Sequence, residues 1–567
     1  MNELEKRWVY ALLVILLAAI LLKISLLALD AVPFNADEAI VALMARHIRQ
    51  GEHTFFFYGQ AYMGSLDAYL VAGAFSLIGE SVLAVRVVQM LLFAGTLLTS
   101  YALAQRFTGS PRTALITILL LAFPPVLLTL YTTVSLGGYG EALLIGNLLL
   151  WLGHRLARED RDRPWAWLVW GFLAGLGFWA FGLVLVYAIP VAIWLLRHLL
   201  DNAQNAPPSR PTPHASRFTF HASRFTPHAS RFTFYVLRLL LPTAGFVLGS
   251  LPWWLGNLGQ VDTGLAELLG TAVRSTATAG GFLANVGTRV FNFVVLGLPA
   301  FFGLRFPWSP HGPPLWLGVP ALALYLGAIA FALRRSSRSR PGYRLLWGIC
   351  AALFIGFILT PFGGDPSGRY FLPLYLPLSI FTADALSQLR ARIIQRAGNR
   401  ARRWVWLLLA AVLAFNLVGT ARAALDNPPG ITTQFDPISQ VDHHAYDELI
   451  RFLRAHGAAC GYTNYWVAYP VAFLSNEEII LVPRLPYKAD LRYTPRDNRY
   501  EPYNRIVEAS PTAVYVTTNH PRLDAILRRQ FADLGVAFRE RQISSYHVFH
   551  DVSRKVTPGE LSLPSPK

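Results

Sequence analysis

Charge is scarce in this chain of 567 residues: only 15% are Asp, Glu, Lys or Arg, against about 25% in an ordinary soluble domain. Acid is scarcer than base, with 33 carboxylates to 50 cations and a net charge of +17. Cysteine is nearly absent. Its two copies, Cys350 in an apolar run and Cys460 in a polar region, have no metal-ligand spacing and are not placed to bridge. What is abundant is apolar surface, with 54% hydrophobic residues and a mean hydropathy of +0.39. One soluble core cannot enclose so much at this length. The same composition excludes disorder and a collagen-like fibre. The basic residues cluster between apolar runs, so membrane topology explains them and no nucleic-acid partner is expected.

A bilayer core takes about 20 apolar residues per helix. The run at 8–29 meets this, follows Lys6 and Arg7, and has no small-residue cleavage site, so it reads as a retained span. Further runs lie at about 82–105, 113–132, 140–157, 165–180, 182–200, 235–256, 314–333, 344–362, 370–387 and 404–424, about eleven spans in all. The stretch 165–200 reads as a hairpin turning near 179–182 or as one long tilted helix. Charge decides between them. With the N-terminus cytoplasmic, the inner loops hold Arg106 and Arg112, the Arg155–Arg163 group, 197–238, the Arg334–Arg340 group and 390–403. The outer loops hold only Arg46, Arg49, Arg274, Arg289, Arg305 and Arg369. That bias holds at every loop only if 165–200 crosses twice. Everything after about residue 427 then lies outside the cell membrane.

The expected architecture is a polytopic α-helical membrane protein with a small C-terminal extracytoplasmic α/β domain. Residues 1–426 form the transmembrane part, with a first outer loop at about 31–81 and a large one at about 257–312. A basic repeat at about 204–234 places His214, His221 and His228 seven residues apart. It reads as a flexible cytoplasmic insertion, not a metal site. Residues 427–552 mix polar and apolar residues as a soluble α/β domain does, without a glycine-rich nucleotide loop, and 553–567 read as a disordered tail.

The first outer loop carries the candidate chemistry. Asn35 is placed to cap a helix, with Glu38 closing a capping box. Ile40, Leu43, Met44 and Ile48 form one apolar stripe, so this helix is suited to lie in the membrane interface. A second apolar segment, 62–78, reads as re-entrant or interfacial. Asp37 and Glu38 in a first turn also suit the helix dipole, a purely structural use. Their place just outside the membrane argues for more. Asp67 adds a third carboxylate, which partial dehydration would make a better base.

The order of these pieces resembles the C-type integral-membrane glycosyltransferases: a span, ADEA on an interfacial helix, YGQAYMGSLDAYL, then GESVLAVRVVQMLL opening the next span. It is most similar to their branch of protein O-mannosyltransferases and lipid A aminoarabinose transferases. The stretch GGDPSGRYFLPLYLPL resembles that branch's outer loop running into a span. The resemblance covers about 1–425 in layout. It implies inverting transfer of a sugar from a polyprenyl-phosphate donor to a hydroxyl or amine of a protein, lipid or glycan acceptor at the outer face. It maps Asp37 to the acidic residue taken as catalytic base, with Glu38 beside it. Where relatives often carry a charged residue, this chain has Gln60, followed at a distance by Asp67.

A phosphate leaving group gains negative charge as its bond breaks, and fixed cations stabilise it. Arg369 with its neighbour Tyr370, and Arg86 at the outer end of a span, are the candidates, with Gln60 and Asp67 as further substrate contacts. Arg274 and Arg289 flank a Gly- and Thr-rich stretch read as a mobile cover. Trp253, Trp254 and Trp308 read as interfacial anchors, and His53 and the pair His443–His444 as surface residues. No metal-ligand constellation is visible and no cofactor is expected, with divalent-metal dependence left open. The donor, the acceptor and membrane lipids are the expected partners. The competing reading is a transporter or flippase of envelope precursors, against which stand the lack of an internal repeat and the outward clustering of acids. A sensor anchored by its spans is a third reading, for which eleven spans are many.

Overall fold

The computed structural model describes residues 3–158, 163–204, 227–259, 261–269, 281–308, 312–335, 341–397, 403–425, 430–434 and 436–564. The repeat bearing His214 and His221, and Arg274, fall outside them. Helix α1 (Glu3–Ala28) forms over the first apolar run. It gives way at Asp30, whose φ of 51° turns the chain into the first outer loop. There α2 (Ala36–Arg49) begins at Asn35, whose side chain accepts from the Asp37 and Glu38 amides at 3.1 and 3.3 Å. A short hairpin, β1 (Phe56–Phe57) with β2 (Gln60–Gly64), leads to α3 (Leu66–Ile78).

Next come α4 (Val82–Thr108), α5 (Pro111–Ala122), α6 (Val126–Tyr131), α7 (Tyr139–Leu156), α8 (Pro164–Ala180), α9 (Leu185–Gln204) and α10 (Pro227–Gly249). The run expected at 113–132 is broken, because Pro124 and Pro125 lack amide donors and interrupt the helical ladder. The 165–200 stretch is a hairpin. Helix α8 stops at extended Phe181, and one 3-10 turn at Gly182–Val184 starts α9. Helices α8 and α10 touch through backbone: a Cβ on Gly171 or Gly175 would fall within about 2 Å of the Pro242 or Phe246 carbonyl, and Gly245 and Gly249 repeat this from the other side. Small residues four apart on both helices permit such an approach.

Helices α11 (Leu251–Gly256), α12 (Val261–Leu268), α13 (Phe282–Phe291) and α14 (Leu298–Phe301) follow, through the region expected as the second large outer loop. They are followed by α15 (Leu315–Arg335), α16 (Pro341–Leu359), α17 (Tyr375–Ala397) and α18 (Arg403–Leu425). Among the described residues seven helices are long and apolar enough to cross a bilayer, and the other expected spans are shorter or more polar. Much of the Gly- and Thr-rich stretch expected as a mobile cover, 275–280, lies outside the described residues. Beyond it Phe282–Phe301 is one apolar helical stretch, fastened to the end of α16 and to the segment that follows it. Arg289 Nη1 donates to the Ile358 carbonyl (3.1 Å), Asn292 to that of Gly363 (3.0 Å), and Gly297 packs against the Phe371 ring. Trp253 and Trp308 are buried against Phe178 and Phe306, not free at the interface.

The tail builds a mixed five-stranded sheet from β3 (Cys460–Thr463), β4 (Ile480–Pro483), β5 (Val514–Thr518), β6 (Arg539–Ile543) and β7 (Tyr546–His550), in the order β4-β3-β5-β7-β6. The first three are parallel and the last two antiparallel. Helices α19 (Tyr446–Ala455), α20 (Tyr465–Leu474), α21 (Glu501–Ala509) and α22 (Pro521–Asp533) connect them. Residues 553–564, expected to be disordered, are docked. Val556 is buried, its amide and carbonyl both bonded to the Tyr515 hydroxyl, and Lys555 Nζ caps the carbonyls of Val507, Glu508 and Ser510.

This domain sits on the first outer loop. Arg46 donates to Glu477 (3.2 Å) and to the Phe473 carbonyl (3.0 Å), and His47 Nε2 lies 2.9 Å from Glu477. Burial raises the Glu477 carboxyl, but its bonds with His47, Tyr503 and Arg46 outweigh this and hold it at about 2. Helix α2 therefore does not lie open in the interface as expected: the tail covers its polar face. The first loop and the tail share one side. The eleven-span reading crosses ten times between them (α4, α5–α6, α7, α8, α9, α10, α15, α16, α17 and α18), an even number that agrees with this contact. Counting Phe282–Phe301 as a crossing would break that parity.

Candidate functional site

Capping by Asn35 sets the first turn of α2 and turns Asp37 toward a cavity of about 580 Å³ between the first loop, the turn before α17 and the tail domain. Both carboxylate oxygens of Asp37 are held. Thr433 Oγ1 donates to Oδ2 at 2.9 Å, and the Tyr465 hydroxyl donates to Oδ1 at 2.6 Å. Asn35 Nδ2 in turn donates to Thr433 Oγ1 (3.0 Å), which fixes the hydroxyl's direction. Burial, and then the Asp37 carboxylate, push the Tyr465 hydroxyl well above its usual range, so it stays a donor. The capping box does not form. Glu38 turns the other way, as described below.

Cations converge on the same cavity from both ends of the sequence. Arg369 sits on a 3-10 turn, Arg369–Leu374, preceded by Gly368 at φ 85°. Its Nη2 pairs with Asp365 (2.6 Å) and donates to the Tyr370 hydroxyl (3.2 Å), while Nε is buried with no hydrogen-bond partner among the described residues. From the tail come Lys488, Arg496 and Arg499. Arg499 lies over the Tyr465 ring at 5.5 Å and donates to the Gly59 carbonyl (3.3 Å). With its amide oxygen toward Arg499, Gln60 accepts from both Nη atoms at 2.7 and 2.8 Å. Asp497 closes the rim. Burial outweighs the nearby Arg499 and Lys488 and pushes its carboxyl up to about 6.

A second, apolar groove of about 280 Å³ adjoins the first through Tyr62, which lines both. Its walls come from α9, α12 and α16, with Val186, Ile189, Leu268, Leu353 and Phe357 among them, and Tyr370 also lines it. Tyr62 is thus where the charged cavity meets the apolar groove, with Tyr370 on the groove side bonded to Arg369.

The residues expected at the site separate into two groups. Asp37, Gln60 and Arg369 line the charged cavity, and Tyr370 lines the groove. Glu38, Arg86 and Asp67 line neither. Arg86 closes on Glu38 with Nε to Oε1 at 3.1 Å and Nη2 to Oε2 at 3.0 Å, and Nη2 also reaches the Val32 carbonyl (3.0 Å). Both side chains are buried. Burial raises the Glu38 carboxyl, and Arg86 opposes the rise. Arg86 is therefore committed to Glu38 and not presented to a lipid phosphate, and Glu38 supports the loop from beneath. Asp67 is 2% exposed, engaged by Gln89, Ser135 and the Gly137 amide, and raised by burial. It ties α3 to the turn before α7.

Thr433, Tyr465, Tyr487, Lys488, Arg496, Asp497 and Arg499 escaped the sequence reading. A signal existed in RYTPRDNRY at 492–500, where Arg and Tyr alternate with turn residues, a pattern suited to anion contacts.

Residues 65–207 match the family model described as dolichyl-phosphate-mannose-protein mannosyltransferase. Among solved structures, ArnT from Cupriavidus metallidurans bound to undecaprenyl phosphate is similar over 96% of this chain and 97% of its own, at 13% identity and a TM-score of 0.55. Its apo state gives 94%, 97%, 12% and 0.54. The apo oligosaccharyltransferase of Archaeoglobus fulgidus is similar over 90% of this chain and 70% of its own, at 13% identity and a TM-score of 0.50. No curated protein matches the sequence.

Proposed function

We propose that this chain, which has the fold of the C-type integral-membrane glycosyltransferases, moves a sugar from a polyprenyl-phosphate donor to a hydroxyl or amine of a protein, lipid or glycan acceptor at the outer face of the membrane. One observation carries the reading: a cavity that holds Asp37 together with Arg369 adjoins, at Tyr62, an apolar groove. A phosphate bearing a long apolar chain needs that juxtaposition.

The chemistry follows from the groups present. The acceptor's O–H or N–H is presented to Asp37, which takes its proton as the nucleophile attacks the anomeric carbon. The bond from that carbon to phosphate oxygen breaks, and the polyprenyl phosphate leaves with the electron pair, its growing charge met by Arg369 and the tail cations. One displacement inverts the anomeric centre. No step requires Glu38, Arg86 or Asp67 to touch substrate. Thr433 and Tyr465 hold Asp37 in place, so the tail domain completes the site instead of merely covering it.

The test is transfer of a labelled sugar from polyprenyl phosphate by membranes carrying Asp37→Asn. We expect loss of transfer with donor binding retained. Normal transfer by this variant removes the base assignment. Unchanged cellular glycans in a deletion strain, with altered solute uptake, would favour a transporter.

A further inference from the structure

Away from the cavity, three metal-ligating side chains meet where the first span ends. We infer that Asp30, His443 and His444 bind one divalent transition-metal ion of the zinc type, stapling the tail domain to the end of the first transmembrane helix. Their ligand atoms all lie within 4.8 Å of one another. Asp30 Oδ2 is 2.7 Å from His444 Nε2 and 3.1 Å from His443 Nε2, and the two imidazole rings are 4.0 Å apart. Ligands around a tetrahedral zinc, at about 2.0–2.2 Å from the ion, stand about 3.3–3.5 Å from each other, so the contacts at 2.7 and 3.1 Å open by about 0.2–0.8 Å to admit the ion. Two imidazoles and a carboxylate form a zinc-type donor set that leaves one position for water.

Two further observations point to a cation. His444 Nδ1 faces Asp442 Oδ1 at 3.1 Å, and Asp442 is itself held by Ser544 (2.6 Å). A carboxylate accepts only from N–H, so Nδ1 carries a proton and Nε2 is left to face Asp30 Oδ2 across 2.7 Å, a gap that a positive charge must bridge, either a second ring proton or a metal ion. This carboxylate behind the imidazole is also the usual outer support of a metal-bound histidine. The second observation is His443. Its side chain is only 9% exposed and meets Asp30 at 3.1 Å as an ion-pair contact, yet neither ring nitrogen makes a hydrogen bond of acceptable geometry among the described residues. A largely enclosed imidazole held so poorly is costly, and an ion at this point supplies a bond.

The location gives the ion a task. Asp30 stands at a left-handed turn, and from there 31–37 runs beside 430–434, with the Ile431 amide on the Ala31 carbonyl (2.8 Å) and Thr433 on Asp37. Fixing Asp30 to His443–His444 holds these two segments in register. Neither histidine was paired with Asp30 in the sequence reading, because more than 400 residues intervene.

The test uses the full chain in detergent, without a polyhistidine tag and with His214, His221 and His228 changed to serine so that the repeat does not compete. After chelator treatment, zinc stoichiometry is measured by elemental analysis and cobalt binding by its visible absorption. The expected result is one ion per chain with the intense bands of tetrahedral cobalt. Asp30→Ala, His443→Ala and His444→Ala should each abolish this signal, Asp442→Asn should weaken binding about 10–100-fold, and His547→Ala should leave it intact. Should the ligand variants not fold, the stripped parent chain decides: zinc must bind at one equivalent and raise its thermal midpoint. Absence of stoichiometric metal, in which case an imidazolium–carboxylate contact explains the geometry, overturns the proposal. So does retention of the ion by the triple alanine variant.

Discussion

The Tyr465 hydroxyl and the Asp37 carboxylate meet at 2.6 Å although 428 residues separate them in the chain. The first comes from the tail domain and the second from the first turn of a helix beside the first span. A residue that the membrane part supplies is thus oriented by the part outside it. Replacing Asp37 by Asn keeps the shape and removes the base, with an expected fall in kcat of about 10²–10⁴-fold. Tyr465→Phe keeps the base and loses one hydrogen bond to a charged group, about 1.5–3 kcal/mol. It should lower kcat about tenfold or more while the donor KM stays unchanged, a split that steady-state assays resolve.

The pair Arg86–Glu38 predicts the opposite pattern. Both partners are buried and bonded twice to each other. Removing one leaves the other as an unpaired buried charge, at about 3–5 kcal/mol. Arg86→Ala should therefore lower the thermal midpoint of the detergent-purified chain, and Arg86→Met with Glu38→Leu together should cost less than either alone. An Arg86→Ala variant of normal stability but impaired donor binding would instead return Arg86 to the phosphate.

Arg369 offers a fork whose Nε has no hydrogen-bond partner among the described residues. A guanidinium matches phosphate with two donors, and an ammonium cannot. Arg369→Lys should keep the charge yet raise the donor KM about tenfold, and Arg369→Ala should raise it further and also lower kcat, since leaving-group charge grows in the transition state. Donor titrations at fixed acceptor separate the two effects.

How far these features can be read from sequence depends on chain separation. The break between α5 and α6 has a local signal in Pro124 and Pro125, although the apolar run at 113–132 reads as one span. The Asn35 cap is legible, its acceptor and donors two and three residues apart. Glu38 shows the limit. Its spacing from Asn35 suits a capping box, but Arg86 arrives 48 residues later with a stronger claim on the carboxylate. The tail contribution was invisible for the same reason. Lys488 and Arg499 carry no periodic signal linking them to residue 37, and only the docking of α20 on α2 brings them there. The docked segment 553–564 was misread because polar composition concealed two buried side chains, Val556 and Leu561.

Asp497 makes donor binding depend on pH in a definite direction. Its carboxyl is pushed up to about 6 in the free protein. An anionic phosphate in the same cavity raises it further, so binding takes up a proton. Affinity should rise as pH falls from 8 toward 6 and level off below about 6, where Asp497 is already protonated before the donor arrives. The donor is a phosphodiester and does not titrate in this range. Asp497→Asn should bind at pH 8 as the parent does at pH 6, with a flat profile, which calorimetry or a labelled-lipid assay measures.

The groove at Tyr370 makes the last prediction, on donor chain length. Gly356 lies in its wall, and a Cβ built there meets nothing within 4 Å. A large side chain at this position therefore projects into open space and does not clash with the helix packing. Gly356→Phe should fill part of the groove, which is only about 280 Å³. Each buried methylene of an isoprenoid is worth about 0.8 kcal/mol, so excluding two or three of them should raise the KM of a long-chain donor about 10–50-fold. A short-chain analogue that ends before Gly356 keeps its own KM, because Arg369 and Asp37 are untouched. Equal losses for long and short donors would mean that the substitution disturbs the charged cavity, and would move the lipid chain to some other face of the protein.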